Sequence, residues 1–147
     1  MGSYVNVPVA PRAQDARRTE SIKLYGPDAF DGMRSAGALT ARCLDGVSDL
    51  VRDGTALAQI NSFVLDFAAD HDATPATLGY KGYKYACCTS VNNVVCHGFP
   101  NEKKLRDGDI VNVDVTLIHN GWYGDSSRMY VVGKPKRAAE RLIQIAH

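Results

Sequence analysis

Apolar residues recur in steps of three and four at Met33, Ala36, Leu39, Cys43, Val47, Leu50 and Val51. That spacing lays one stripe along a helix. It predicts an amphipathic helix from about 29 to 52, opened by Asp28 after Pro27 and stopped by Asp53-Gly54. Thr55 is placed to cap a second helix, with Leu57, Ile60, Val64, Phe67 and Ala68 inward and an end near Asp70 to Asp72. A loop with Pro75 follows, and then the glycine-punctuated run Gly79-Tyr80-Lys81-Gly82-Tyr83. Cys87 to Val91 and Val94 to His97 read as short strands around Asn92-Asn93, and Gly98 to Asp109 reads as a loop. Between 110 and 132, two strand-like runs flank Asn120-Gly121, which predicts a hairpin. Gly133-Lys134-Pro135 breaks it, and Arg137 to His147 opens a third helix with Ala139, Leu142, Ile143 and Ala146 on one side. Residues 1–25 carry Pro8 and Pro11 with little periodicity and read as an extended arm. The third helix has no stop signal, so the chain is expected to end inside an element.

The hairpin carries the chemistry. If Asn120 and Gly121 are its two loop residues, His119 lies opposite Trp122, Thr116 opposite Asp125 and Asp114 opposite Ser127. Side chains alternate with period two, so Asp114, Thr116, Asp125 and Ser127 share one face. Asp114 and Asp125 become diagonal neighbours, roughly 7–8 Å apart at the backbone. Two carboxylates held that way repel unless a cation lies between them. They could bridge two metal ions about 3.5–4 Å apart, the arrangement of two-metal hydrolysis. A one-residue slip would send them to opposite faces, so the proposal depends on register. Strand carboxylates taken alone are more often edge charges or bulges, and two acids are too few for two metals.

Composition narrows the class. The 147 residues suffice for one domain with its own core. Apolar content is 45% and charged content 22%, the profile of a globular protein. Seventeen basic and sixteen acidic side chains leave a net charge of +1, which suggests neither a nucleic-acid nor a membrane partner. No apolar run approaches a membrane span, and the arm lacks the apolar core of a secretory signal. Cys43, Cys87, Cys88 and Cys96 form no C-x-x-C pair, so reduced thiols in a cytoplasmic setting are expected rather than a disulfide framework or a zinc ribbon.

Three blocks of sequence resemble the type I methionine aminopeptidases. They are Cys88-Thr89-Ser90-Val91-Asn92-Asn93-Val94-Val95-Cys96-His97-Gly98-Phe99-Pro100, Leu105 to Thr116, and Gly121-Trp122-Tyr123-Gly124-Asp125-Ser126-Ser127-Arg128-Met129. The start of the first helix, Gly32-Met33-Arg34, is similar to the family's first core helix, and the likeness runs from about residue 20 onward. The resemblance implies an α+β pita-bread fold, of which this chain carries the N-terminal half and the first helix of the second. The implied domain runs over 26–147, after the arm of 1–25.

The same resemblance implies a function and its residues. The family removes the initiator methionine from nascent proteins when the next residue is small, using two divalent ions (cobalt, manganese, iron or zinc). By position, Asp114 is expected to hold one metal in bidentate fashion and Asp125 to bridge both. His97 is expected to hydrogen-bond substrate and assist the transition state. Tyr80, Tyr83 and Cys88 are expected to line the pocket for the methionine side chain. Lys84 departs from a proline common in the family at that position. The family's remaining metal ligands, one histidine and two glutamates, lie in its second half, and neither Glu140 nor His147 matches them. Three readings follow: a half-enzyme needing a complementing second half and acting near the ribosome surface, a non-catalytic half-fold that binds a partner, or a homodimer of two halves. The arm lacks the zinc-binding cysteines of a ribosome-docking extension.

Overall fold

The long apolar stripe folds as predicted, and its two ends differ. The computed structural model describes residues 4–8 and 21–146. Helix α1 spans Pro27–Val47 and buries Ala29, Ala36, Leu39, Thr40, Cys43, Leu44 and Val47, the three-and-four spacing of one face. Pro27 occupies its first turn and Gly26 is the N-cap, so Asp28 is a first-turn acid near the positive end of the helix dipole rather than the cap. The predicted end near residue 52 comes five residues early. Ser48 N–H turns back to the Asp45 carbonyl and Leu50 N–H to that of Val47, so the chain tightens before Asp53.

Helix α2 spans Leu57–Asp70 and buries Leu57, Ile60, Val64 and Ala68. Its N-cap is Ala56, whose N–H donates to Gln59 Oε1 at 2.8 Å. Thr55, expected as the cap, instead donates its hydroxyl to the Leu50 carbonyl at 2.7 Å and closes the α1–α2 turn.

Four strands build the main sheet: β3 at Ala73–Pro75, β4 at Cys88–Val91, β5 at Ile110–His119 and β6 at Trp122–Val131. Strands β1 (Tyr4–Pro8) and β2 (Ser21–Tyr25) pair antiparallel as a separate ribbon, so these parts of the expected arm are extended and lie against each other. Helix α3 covers Arg137–Ala146; the predicted helix end at His147 lies outside the described residues. Strand β5 is the hub. On one edge β6 pairs along its whole length; on the other, β3 takes its C-terminal end and β4 its N-terminal half. Strand β3 falls where a Pro75 loop was expected. It is three residues long, which an edge position tolerates.

Val94 to His97 is not a strand. Asn92 adopts φ +54°, Val94 N–H folds back onto the Val91 carbonyl, and Val95 is 91% exposed. Alternation there has no buried face to satisfy, so the segment leaves the sheet as a turn.

The core lies on one side of β5. Val111, Val113, Val115 and Leu117 are fully buried and belong to the cluster that holds Leu44, Val47, Ile60 and Val64 of the two helices. Close approach is fixed by polar ties. Thr40 donates to the Gly124 carbonyl at 2.9 Å, and Tyr130 donates to that of Leu44 at 2.6 Å. A Cβ at Gly124 would lie 2.3 Å from the Ala36 carbonyl oxygen, so only glycine lets α1 settle on β6. The other face of β5 carries Asn112, Asp114, Thr116 and Ile118, all half-buried.

Candidate metal centre and substrate cleft

The hairpin register is the one on which the carboxylate argument depends. His119 pairs with Trp122, Thr116 with Asp125, and Asp114 with Ser127, around Asn120 at φ +51° and Gly121 at φ +80°. Both loop residues are left-handed, as the tight hairpin turn with matching twist requires. Asp114 and Asp125 therefore project from the face opposite the core. Thr116 donates its hydroxyl to Asp125 Oδ1 at 2.8 Å, so one carboxylate oxygen is held by the neighbouring strand.

Electrostatics sets the two carboxylates against each other. Partial burial raises the Asp114 carboxyl above its ordinary range, the Asp125 charge raises it further, and His97 opposes both. Among the described residues no group of three or more His, Cys, Asp or Glu side chains is arranged to hold a metal, so the two acids stand as a pair.

Topology brings the remaining residues to the same place. Strands β3 and β4 share one edge of β5, and the chain between them, residues 76–87, must loop out beside Thr116 and Asp114. Ala76 N–H bonds the Thr116 carbonyl at 2.8 Å where this excursion starts, and Cys88 pairs with Asp114 where it returns. Within it, Tyr80–Gly82 makes a single 3-10 turn, with Lys81 at φ +47°. The result is a cleft of about 730 Å³ lined by Tyr80, Tyr83, Cys88, His97, Asp114 and Asp125, with Lys81, Phe99, Thr116 and Tyr123 also on its walls. Every site residue expected from the sequence faces this one cleft.

The walls differ in character. Tyr83 packs edge-on to Tyr85 at 5.5 Å and against Phe99 at 5.6 Å, which forms an aromatic side. Its hydroxyl donates to the Cys87 carbonyl at 3.0 Å and to Cys88 Sγ at 3.3 Å; burial raises the phenol far above its ordinary range. Burial also raises the Cys88 thiol. Tyr80 is 64% exposed, with the Lys81 ammonium 5.4 Å from its ring centre. Lys84, the departure from proline, is exposed. Phe99 and Tyr123 were not singled out in the sequence. Tyr123 stands two residues before Asp125 on the same strand face, so period two would have found it. Phe99 reaches the cleft only through the fold.

The sheet thus turns its carboxylates away from the helices and toward an aromatic cleft. Residues 31–147 match Metallopeptidase family M24, and the chain belongs to that family. It has the pita-bread α+β fold over part of that fold's extent. The methionine aminopeptidase of Rickettsia prowazekii is 47% identical over 127 residues, which are 86% of this chain and 49% of that protein. The methionine aminopeptidase of Escherichia coli strain K12 is 42% identical over 127 residues, 85% of this chain and 48% of that one. A crystal structure of the Rickettsia prowazekii enzyme superimposes with a TM-score of 0.80 at 48% identity, over 82% of this chain and 48% of that one. The chain thus spans about half the length of the relatives it matches. Membership of a metallopeptidase family implies divalent metal cofactors. No helix among the described residues is long and apolar enough to cross a membrane.

Proposed function

We propose that this chain supplies the carboxylate pair and side-chain pocket of a methionine aminopeptidase, which removes the initiator methionine from nascent proteins when a small residue follows. One observation carries the reading: Asp114, Asp125, His97, Tyr80, Tyr83 and Cys88, drawn from separate segments, line a single cleft. The donor set fits divalent metal. Two carboxylates share one sheet face, and the ionised form of Asp114 is disfavoured by burial and by Asp125, a conflict that a cation resolves. Cobalt, manganese, iron and zinc all accept such oxygen donors beside imidazole. A bound metal pair supplies an acidified water and a polarised scissile carbonyl.

The chain's own residues do the rest. Asp114 and Asp125 would hold the metal from the face of the sheet opposite the core. Thr116 fixes the Asp125 rotamer by its hydrogen bond. His97, exposed at the rim, donates to the substrate peptide or to the developing oxyanion. Tyr83, Phe99 and Cys88 present an apolar, polarisable wall that suits a thioether. The family's other expected ligands, one histidine and two glutamates, belong to the part of the relatives' length that this chain does not span. Its partners are accordingly a peptide or nascent chain, a complementing second half and, in the cytoplasm, the ribosome surface.

A second reading is favoured by α3, whose Leu142 and Ile145 are 60% and 72% exposed. Such an apolar side marks association, either with a partner protein or with a second copy. The test combines manganese binding by calorimetry, methionine release from Met-Ala-Ser and light scattering on the same sample. Metal binding that vanishes in Asp125→Ala supports the proposal, and unchanged affinity in that variant overturns it. Release by a dimeric chain above an Asp114→Ala control would mean that two copies complete the site.

A further inference from the structure

Residue His97 sits in a backbone conformation that its side chain does not favour. Its φ is +54°, in the left-handed region that residues other than glycine occupy uncommonly. Such a conformation persists only where the surroundings hold it, and the residue that follows, Gly98, is held at both of its backbone polar groups. The Gly98 N–H donates to Ser90 Oγ at 3.1 Å, and the Gly98 carbonyl accepts from Thr89 N–H at 2.8 Å. A Cβ on Gly98 would lie 2.1 Å from the Thr89 carbonyl oxygen, so the loop meets β4 backbone to backbone here.

Ser90 is 3% exposed and stands two residues from Cys88 on the cleft side of β4, opposite Asn112. A buried serine on a sheet strand needs a reason. Its neighbours in the loop supply one. The turn is anchored at its start by Asn92 on Ile110 and Val94 on Val91, and the grip on Gly98 ties its far end, beside the histidine, to the sheet. His97 in turn lines the cleft with Asp114.

We propose that Ser90 is a positioning residue: its hydroxyl, acting with the Thr89–Gly98 hydrogen bond, fixes the left-handed backbone at His97 and so aims the imidazole into the cleft beside Asp114. The function of this aim rests on the reading of His97 given above, but the geometry is testable without it. A purely structural serine would support the loop and leave the ring's surroundings unchanged.

The experiment is NMR on the full chain with labelled histidine, in wild type, Ser90→Ala and Ser90→Thr, without metal. Two signals are followed. Protection of the Gly98 amide from exchange should fall at least tenfold in Ser90→Ala and return in Ser90→Thr, while the β5–β6 ladder keeps its protection. The His97 ring proton between the two nitrogens should move when Asp114 becomes asparagine in the wild-type background. That response should fall by at least half when Ser90→Ala is also present. Should Ser90→Ala fold poorly, Ser90→Cys keeps the volume and weakens the acceptor. An undiminished His97 response in a folded Ser90 variant overturns the proposal and leaves Ser90 as a loop support. A diminished response in a chain that neither binds manganese nor releases methionine would sink the functional reading while the positioning stands.

Discussion

Replacing Tyr130 by phenylalanine tests how the hairpin is fixed to the helices. Helix α1 ends at Val47, which leaves the carbonyls of Leu44 to Val47 without partners inside the helix. Three are satisfied locally: Asp45 by Ser48 N–H, Gly46 by Asp49 N–H, and Val47 by the amides of Leu50 and Val51. The carbonyl of Leu44 is taken by the Tyr130 hydroxyl from β6, at 2.6 Å and with Tyr130 only 7% exposed. Burial pushes that phenol up to about 12, so it stays a donor throughout the neutral range. Phenylalanine keeps the ring and opens no cavity, and the loss is that of a buried acceptor left unpaired. Such a loss costs about 1–2 kcal/mol, which for a chain of this size lowers Tm by roughly 3–8 °C. Urea unfolding should show a lower midpoint at unchanged slope, and Tyr123→Phe, altered at an exposed ring, should stay within about 0.5 kcal/mol of wild type. A Tyr130→Phe change below about 0.3 kcal/mol would mean that another group reaches the Leu44 carbonyl, and the tie between β6 and α1 would have to be sought elsewhere.

Two further outcomes follow from the site and the thiols. The folded carboxyl of Asp114 is raised above its unfolded value, so its stabilising share is present at acid pH and is lost as pH rises through the raised value. Asp114→Asn should therefore stabilise the metal-free chain at pH 7, with the gain vanishing in acid. In manganese at about a hundred times the dissociation constant, wild type should recover roughly 2.7 kcal/mol that the variant does not. Thermal melts with chelator and with metal decide this, and equal melts for both proteins at pH 7 without metal would contradict the repulsion. Among the cysteines, burial lifts Cys43 to about 11 and Cys87 to about 12, whereas Cys96 is exposed. A disulfide reagent at pH 8 should thus find one fast thiol that Cys96→Ser removes, and a second fast thiol in that variant would contradict the burial.

What could be read in advance was whatever repeats locally. Helical spacing placed α1 and α2, and Asn120-Gly121 set the β5–β6 register, because turn geometry and period two leave no freedom once both loop residues are left-handed. Contacts that depend on which edge a strand joins were not legible. The pairing of Ala73 with His119 gives no local signal, yet it makes residues 76–87 loop out beside the carboxylates. The strand expected over Val94 to His97 failed for the complementary reason. Its alternation was real, but Val95 is exposed; the chain turns back at Val94 onto Val91 and meets β4 again at Gly98. Capping went wrong by one residue at α2 because Thr55 found a carbonyl in the preceding turn. The roles proposed for Asp114, Asp125 and His97 came from the resemblance of three blocks, since spacing alone left edge charges as the simpler explanation.

The two faces of β5 divide stability from chemistry. Val111, Val113, Val115 and Leu117 are sealed against the helices, so the strand is held in place by one face alone. The other face can then carry Asp114 beside Asp125, an arrangement that opposes folding when no cation is present. A polar residue on that face is tolerated because the apolar face already fixes the register, and a slip would move four valine and leucine side chains into the cleft. The same logic explains why the site is assembled from the loops that flank β5 rather than from the helices behind it. Among the described residues the 76–87 excursion and the segment from Asn92 to Phe99 reach the carboxylate face, tied to the sheet by backbone bonds at Thr116 and Thr89 respectively. Those two ties help set where Tyr83 and His97 stand. Substitutions that loosen them should move these two side chains before they change global stability.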